Sequence, residues 1–284
     1  MRSVARPAGA GRLLALAIAL GGCASSGPAP SAFDGTGDVA QFARSLPALL
    51  PTDILLIGEQ HDAPQHHGLE LAAVESLVAR SRLAALAVEM AEEGHDTAGL
   101  PPAATEAQVR VALRWDEAAW PWSDYAATVM AAVRAGVPVV GANLPRSRMK
   151  DAMADVSLDA QLPDAALRAQ QDAVRDGHCG LLPEARIVPM TRIQVARDRA
   201  MAQAAAKARR PGRTVLLIAG AAHVDRRQGV PQHLPVDVTV RSLRLLAAAA
   251  GDEGAAASTD RHDATWRTPP LPAKDYCAGV RRPG

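Results

Sequence analysis

Apolar residues along the chain occur in short runs that alternate with segments in which they recur every three or four positions. Short runs bounded by turn residues are typical of buried strands, and the wider spacing is typical of helices that cover a sheet. The pattern predicts strands at 54–57, 83–88, 137–140, 214–218 and 236–240 and helices at 39–50, 66–81, 105–113, 115–135, 145–155, 163–176 and 183–208. Their alternation predicts a single-domain α/β fold with a mostly parallel sheet flanked by helices.

The first 22 residues have the pattern of a secretory signal peptide. Three arginines precede an apolar run at 13–20, and small residues then lead to Cys23. This ending resembles a bacterial lipobox, so we expect acyl chains on Cys23 to anchor the protein without a transmembrane span. An ordinary cleavage site is the alternative. Because Ala24 replaces the aspartate that often retains lipoproteins at the inner membrane, the expected location is the outer membrane, facing the periplasm.

Composition divides the remaining chain into three parts. Residues 23–38 are rich in Ser, Gly, Pro and Ala and predict a flexible tether. Residues 39–246 carry the predicted strands and helices, and residues 247–284 form a small, polar, proline-rich tail that is expected to be poorly ordered unless Cys277 is tied down. In an oxidising compartment Cys179 and Cys277 form either a disulfide or two free thiols, and the disulfide is favoured.

The charge balance excludes one class of partner. The chain has 31 basic and 30 acidic residues, and removal of the signal peptide would leave a slight acidic excess. Nucleic-acid binding and a polybasic membrane patch are therefore not expected.

Polar side chains follow four of the predicted strands, at the point where each strand ends. Ligands of open α/β sheets bind at this edge, so these side chains are expected to share a crevice. Together they could bind a divalent metal or supply a general base with its orienting partner. Alternatively, they cap helices and hydrogen-bond across loops. The candidates are Glu59, His61, Asp62, Glu89, Asn143, Arg146, His223 and Asp225.

An aromatic segment is the second candidate feature. Trp115, Trp120, Trp122 and Tyr125 lie close together in a chain that is only 3% aromatic. They either fill the core between helices or form an apolar wall for a planar ligand. Tyrosine is a known axial ligand of haem iron, and arginines such as Arg146 and Arg192 could pair with the carboxylates of such a ligand.

An ordered series of motifs resembles the ChaN-like haem-binding lipoproteins, which are related to the Tiki and erythromycin-esterase-like proteins. The resemblance covers residues 50–242, and the ordered series is more specific than any one of its motifs. The motifs are Gly58-Glu59-Gln60-His61-Asp62, Val88-Glu89-Met90, Trp122-Ser123-Asp124-Tyr125, Ala142-Asn143-Leu144-Pro145-Arg146, Gly177-His178-Cys179-Gly180, Gln194-x-x-Arg197-Asp198 and Gly220-x-x-His223.

The resemblance implies a lipoprotein that binds haem, takes part in iron uptake and forms a haem-dependent homodimer whose subunits share the haem pocket. It implies a tyrosine on the iron. Tyr125 is the expected ligand because it belongs to a matching motif, whereas Tyr276 lies outside the match. Lysine is absent from the aromatic segment, so Arg146, His178 or another His or Arg is expected to bind the propionates. His61 and His223 complete the expected cofactor-binding residues.

An enzyme is the alternative function. Glu59, His61, Glu89 and His223 resemble the group that related hydrolases use for metal-assisted or base-assisted hydrolysis, in which a bound Zn²⁺ would lower the pKa of its water to about 7. A binding protein remains the favoured interpretation. The least specific possibility is a lipoprotein in which this polar cluster is purely structural.

Overall fold

The computed structural model describes Met1 and residues 33–248 and 261–278. The predicted signal peptide, the lipidation residue Cys23 and most of the predicted tether lie outside the described residues.

Within the described residues, seven strands form one parallel sheet with the order β1-β7-β6-β2-β5-β3-β4. The predicted α/β class with a parallel sheet is confirmed. The strands are β1 (Phe33–Thr36), β2 (Ile54–Glu59), β3 (Leu83–Glu92), β4 (Val139–Asn143), β5 (Thr214–Gly220), β6 (Val240–Ala247) and β7 (Ala264–Thr268).

Helices cover both faces of the sheet. On one face α1, α2 and α4 enclose the larger apolar core, and on the other α7 packs against β3, β4 and β5 with α5 and α6 outside it. None of the described helices is long and apolar enough to cross a membrane. The helices are α1 (Val39–Ser45), α2 (Pro64–Ala79), α3 (Glu106–Ala112), α4 (Trp122–Arg134), α5 (Met149–Ala154), α6 (Asp164–Gly177) and α7 (Ile187–Ala208).

Strand β5 comes late in the chain but lies between the two early strands β2 and β3. Every residue of β2 and β5 is buried, which explains why both sequences are continuous apolar runs rather than alternating patterns. The insertion places the polar residues that end three neighbouring strands side by side.

The predicted fifth strand at 236–240 is wrong in position. The strand begins at Val240 and continues to Ala247, and Val236 in the preceding loop is fully exposed. A short apolar run was therefore a poor guide to this strand, which Arg241 and Arg244 interrupt.

Two short strands at the far edge were not predicted. Strand β1 falls within the expected tether, and β7 falls within the expected tail. The tail is fixed by Trp266, which is buried and packs edge-on against Phe42 with ring centroids 5.3 Å apart. Further along, Cys277 is bonded to Cys179. The segment from Ala264 to Ala278 therefore returns to the folded domain.

Candidate functional site

The candidate site lies at the carboxyl ends of β2, β5 and β3. Glu59 ends β2, Glu89 lies on β3, and the backbone N–H of Gly220 at the end of β5 donates to Glu89 Oε2 at 2.7 Å. A Cβ atom at Gly220 would lie only 2.9 Å from Nε2 of His61. Glycine at this position lets the imidazole approach the end of β5 closely.

Glu59 is the buried centre of the first half of the site. Its Oε1 accepts hydrogen bonds from His61 Nδ1 at 2.8 Å and from the Tyr125 hydroxyl at 2.9 Å, and its Oε2 lies 3.3 Å from His67 Nε2. Burial alone would raise the pKa of Glu59, but the hydrogen bonds from His61 and His67 outweigh it and lower the pKa to about 2. Glu59 is therefore a carboxylate at neutral pH.

Glu89 joins the two halves of the site. Its Oε2 lies 3.9 Å from His61 Nε2, and its Oε1 lies 3.5 Å from His223 Nε2. Burial opposes ionisation, yet the charge of His223, its hydrogen bond and the charge of His61 together lower the pKa of Glu89. One buried carboxylate thus faces the inner nitrogens of both histidines.

His223 is held by a second carboxylate that the strand-end pattern missed. Its Nδ1 lies 2.6 Å from Asp198 Oδ1 on α7, and Gln170 Nε2 donates to the other Asp198 oxygen at 3.0 Å. Burial would lower the pKa of His223, but the charges of Glu89 and Asp198 raise it to about 10. His223 is therefore an imidazolium at neutral pH, and Asp198 is the residue that orients it.

His61 is the accessible end of this chain of acids and bases. Its side chain is 38% exposed and packs edge-on against Trp120, with ring centroids 4.8 Å apart. Burial lowers the pKa of His61, but the hydrogen bond to Glu59 and the charge of Glu89 raise it on balance. The series Glu59, His61, Glu89, His223, Asp198 thus alternates carboxylate and imidazole, and His61 is its exposed member.

Glu70 on α2 was not predicted as part of the site. It is fully buried, and burial raises its pKa well above the ordinary value of 4.5, with a further contribution from the neighbouring charge of Glu59. Nothing in the sequence indicated this burial, because the polar and apolar residues of α2 do not divide into clear faces. A neutral carboxyl beside Glu59 is the result.

We expect Glu70→Gln to gain stability relative to the unchanged protein as pH rises from 5 to 8. In the unchanged protein the pKa of Glu70 is higher in the folded state than in the unfolded state, so the folded chain keeps a proton that the unfolded chain releases. The free energy of unfolding of the unchanged protein therefore falls by up to about 1.4 kcal/mol per pH unit between pH 5 and 8. Glutamine cannot titrate. Melting temperatures of both proteins across this range test the prediction, with Glu75→Gln on the exposed side of α2 as the matched control. Parallel pH profiles for the unchanged protein and Glu70→Gln would contradict it.

Tyr125 is placed differently from the sequence expectation. Its side chain is 3% exposed within the cluster of Trp115, Trp120 and Trp122, and its hydroxyl donates to Glu59. Burial, together with the charge of Glu59, raises its pKa. To bind iron, this phenol would have to be reached through the core and lose its proton beside a carboxylate. These surroundings do not favour Tyr125 as an iron ligand, and the aromatic segment serves chiefly as core.

Tyr276, which the sequence set aside, lies at the mouth of the site. It is 58% exposed, and its hydroxyl donates to Asp62 Oδ2 at 2.8 Å and accepts from Gln60 Nε2 at 3.2 Å. Lys274 Nζ binds the same Asp62 oxygen at 3.0 Å. The pairing of Cys179 with Cys277 was the sequence signal that could have placed Tyr276 here.

His178 lies on the other side of the disulfide. Its Nδ1 donates to the carbonyl oxygen of Val174 at 2.7 Å, which leaves Nε2 without that proton in the neutral ring. It lines a cavity of about 220 Å³ that also reaches His223 and Asp198. Drug-sized ligands occupy cavities of about 300–1,000 Å³, so this one suits only a small molecule.

The remaining candidates separate into surface and structural positions. Arg146 is exposed and pairs with Asp116 at 3.1 Å, and the Asp116 carbonyl accepts the backbone N–H of Trp120 at 2.9 Å. Asp225 is buried and paired with Arg261. Arg192 is paired with Asp159. Asn143 ends β4, with its side-chain oxygen buried and without a hydrogen-bond partner.

The cluster has the chemistry of a base held by carboxylates. His61 has one nitrogen fixed by Glu59 and the other directed toward Glu89, as a positioned acid or base requires. Within the described part of the chain, no group of three His, Cys, Asp or Glu side chains is arranged to hold a metal ion.

Comparisons with known proteins agree with the observed fold. A family model described as haem-binding uptake, Tiki superfamily, ChaN matches residues 46–234. A solved structure of cofacial haem binding to ChaN of Campylobacter jejuni is similar to this chain with a TM-score of 0.63, at 20% identity over 79% of this chain and 89% of that one. The type III effector HopBA1 is 16% identical over 76% and 85% of the two chains, with a TM-score of 0.36. No curated protein sequence matches the chain.

Proposed function

Since the chain belongs to the ChaN haem-binding uptake family of the Tiki superfamily, we propose that it captures haem on the open surface at the mouth of the site. We further propose that Cys23 carries the lipid that anchors it, at the outer membrane facing the periplasm. The protein would then hold haem close to a membrane during haem or iron uptake. Haem and a second copy of the chain are its proposed partners.

The observation that carries this proposal is the set of groups around the loop at 60–62. We call His61, Trp120, Arg146, Lys274 and Tyr276 the haem surface. The loop contacts Tyr276 through Gln60 and Asp62, and it contacts Trp120 through His61. Indole and imidazole rings suit a planar macrocycle, and the two exposed cations suit its propionates. The cavity beside His178, at about 220 Å³, is too small for haem.

Tyr276 is the proposed iron ligand. Haem iron, when bound, supplies a Lewis-acidic centre that takes a phenolate oxygen or an imidazole nitrogen. Asp62 accepts the hydrogen bond of the Tyr276 hydroxyl, so it is placed to take up that proton as the phenol becomes a ligand. His61 is a poorer candidate because its Nε2 points inward, toward Gly220 and Glu89. His178 is the alternative ligand, since the carbonyl oxygen of Val174 accepts from its Nδ1 and not from its Nε2.

Homodimer formation would follow from haem on an open surface. One face of the macrocycle would remain in contact with water, and burial of that face against a second copy would be favourable. The Campylobacter relative is described as binding haem cofacially. By analogy, two chains would each bring one haem to a shared interface.

Arg146→Ala is expected to weaken haem binding about tenfold, because a propionate loses a charged partner. Titration of the purified protein followed by absorbance, with sedimentation before and after haem, measures both affinity and assembly. Arg148→Ala is the matched control, because Arg148 is equally exposed but pairs with Glu93. Haem should convert monomer to dimer in the unchanged protein and in Arg148→Ala. Equal affinities for the two variants, or no change in mass with haem, would count against the proposed surface and assembly.

A hydrolase remains a second candidate, supported by the alternating chain of carboxylates and imidazoles. In this function Glu59 would orient His61 through Nδ1, and Nε2 of His61 would deprotonate a water molecule held between it and Glu89. The haem surface and this cluster share His61, so hydrolysis would be inhibited by haem. Inhibition by haem would distinguish hydrolysis by this protein from hydrolysis by a contaminating esterase.

A further inference from the structure

The segment 269–278 crosses from the edge of the sheet to the mouth of the site. It begins after β7, which pairs with β6, and it ends at the bond between Cys277 and Cys179. It contains Pro269, Pro270 and Pro272 and no regular secondary structure before Tyr276. We refer to residues 269–278 as the strap.

The non-covalent contacts of the strap in the haem surface are weak. They include the ion pair of Lys274 with Asp62 and the hydrogen bonds of Tyr276 with Asp62 and Gln60. Lys274 and Tyr276 are more than half exposed, so water screens and competes with these contacts. They do not by themselves offset the conformational entropy that is lost when ten residues are ordered.

The disulfide fastens the strap covalently at its far end. Cys277 follows Tyr276 directly, so the bond to Cys179 fixes the backbone next to the phenol. Cys179 in turn follows His178, at the end of α6. The two proposed iron ligands thus flank one covalent bond, and only Tyr276 depends on it for its position.

We propose that the disulfide between Cys179 and Cys277 controls haem affinity by holding Tyr276 in the haem surface. This inference rests on the proposed function. The reductant would be a dithiol: one thiolate attacks a cysteine sulfur, the S–S bond breaks, and a mixed disulfide forms while the other cysteine leaves as a thiolate and takes a proton. The second thiol of the reductant then releases the remaining cysteine. Two electrons and two protons pass to the protein, and the reductant becomes a disulfide.

Access to the sulfurs is compatible with such exchange. Both cysteines are only half-buried, and Gly180 and Ala278 beside them are exposed. Strand β7 is paired with β6 and Trp266 is buried in the core, so we expect opening of the bond to change the strap alone.

The test compares the oxidised protein with the double variant Cys179→Ser, Cys277→Ser in haem titrations. The variant is expected to bind haem at least tenfold more weakly and to show faster amide hydrogen exchange in residues 269–278, with unchanged exchange in β2 and β5. Reduction and thiol capping of the unchanged protein, with all reagents removed before haem is added, should reproduce both effects. The same treatment of the double variant should have no further effect.

Each outcome bears on one of the two proposals. If all forms bind haem equally, the disulfide control is wrong while haem binding stands. If no form binds haem, the proposed function fails, and disulfide control fails with it. Unchanged hydrogen exchange in the strap after reduction would contradict the fastening role, whatever the haem titration shows. If reduced, uncapped protein regains its haem affinity on reoxidation, misfolding is excluded as the cause of the loss.

Discussion

Tyr276→Phe is expected to lower haem affinity at least tenfold and to change the absorption spectrum of the bound haem, whereas Tyr125→Phe keeps both affinity and spectrum. The two phenols differ in access. The Tyr276 hydroxyl is exposed and bonded to Asp62 and Gln60, while the Tyr125 hydroxyl is buried and donates to Glu59. Only the first can meet a macrocycle at the surface. A tenfold loss corresponds to about 1.4 kcal/mol of binding free energy.

The pair of variants also reports on alternative ligands. Haem titration followed by absorbance gives affinity, and the disappearance of phenolate-to-iron absorption identifies the lost ligand. If Tyr276→Phe binds normally and His178→Ala does not, the iron ligand is His178. If Tyr125→Phe alone loses binding, haem reaches the core, and the surface site proposed above is wrong.

Glu89→Ala is expected to destabilise the protein by about 3 kcal/mol or more, which corresponds to a fall in melting temperature of about 10 °C. Glu89 is buried between His61 and His223 and accepts the backbone N–H of Gly220. Its removal leaves the buried N–H of Gly220 without this acceptor. It also removes one of the two carboxylates, Glu89 and Asp198, that face the charged imidazole of His223. Thermal unfolding followed by circular dichroism measures the effect.

Two variants calibrate this result. Glu89→Gln keeps an acceptor for Gly220 but loses the charge, so its melting temperature should lie between those of Glu89→Ala and the unchanged protein. Glu184→Ala removes an exposed partner of Arg175 and should leave the melting temperature close to that of the unchanged protein. A Glu89→Ala protein as stable as Glu184→Ala would show that the cluster does not carry the predicted charges.

The central part of the fold could be read from the sequence because its strands are buried on both faces. Continuous apolar runs at β2 and β5, each followed by glycine and histidine, predicted both the parallel sheet and the edge where Glu59, His61, Glu89 and His223 meet. The order of the strands was not readable, and that order places β5 between β2 and β3. Asp198 stands in one of the matching motifs but was not assigned to the site, and Glu70 was missed, because both lie within helices and reach the site only through packing.

The edge of the sheet and the tail were predicted poorly for a physical reason. Strands β1 and β7 are short, and β7 is recognisable only through Trp266, an isolated aromatic in a polar segment. Tyr276 was set aside because it lies outside the matching motifs, yet the disulfide returns it to the mouth of the site. A contact made by one covalent bond across 98 residues leaves no periodic signal in the sequence.

The most direct test of the central claim is the visible absorption spectrum of the oxidised, unchanged protein during titration with ferric haem. We expect binding that saturates at about one haem per chain, with the phenolate-to-iron absorption of a tyrosine ligand. Binding that never saturates, or a saturated complex without that absorption, would contradict capture of haem through Tyr276 at the mouth of the site.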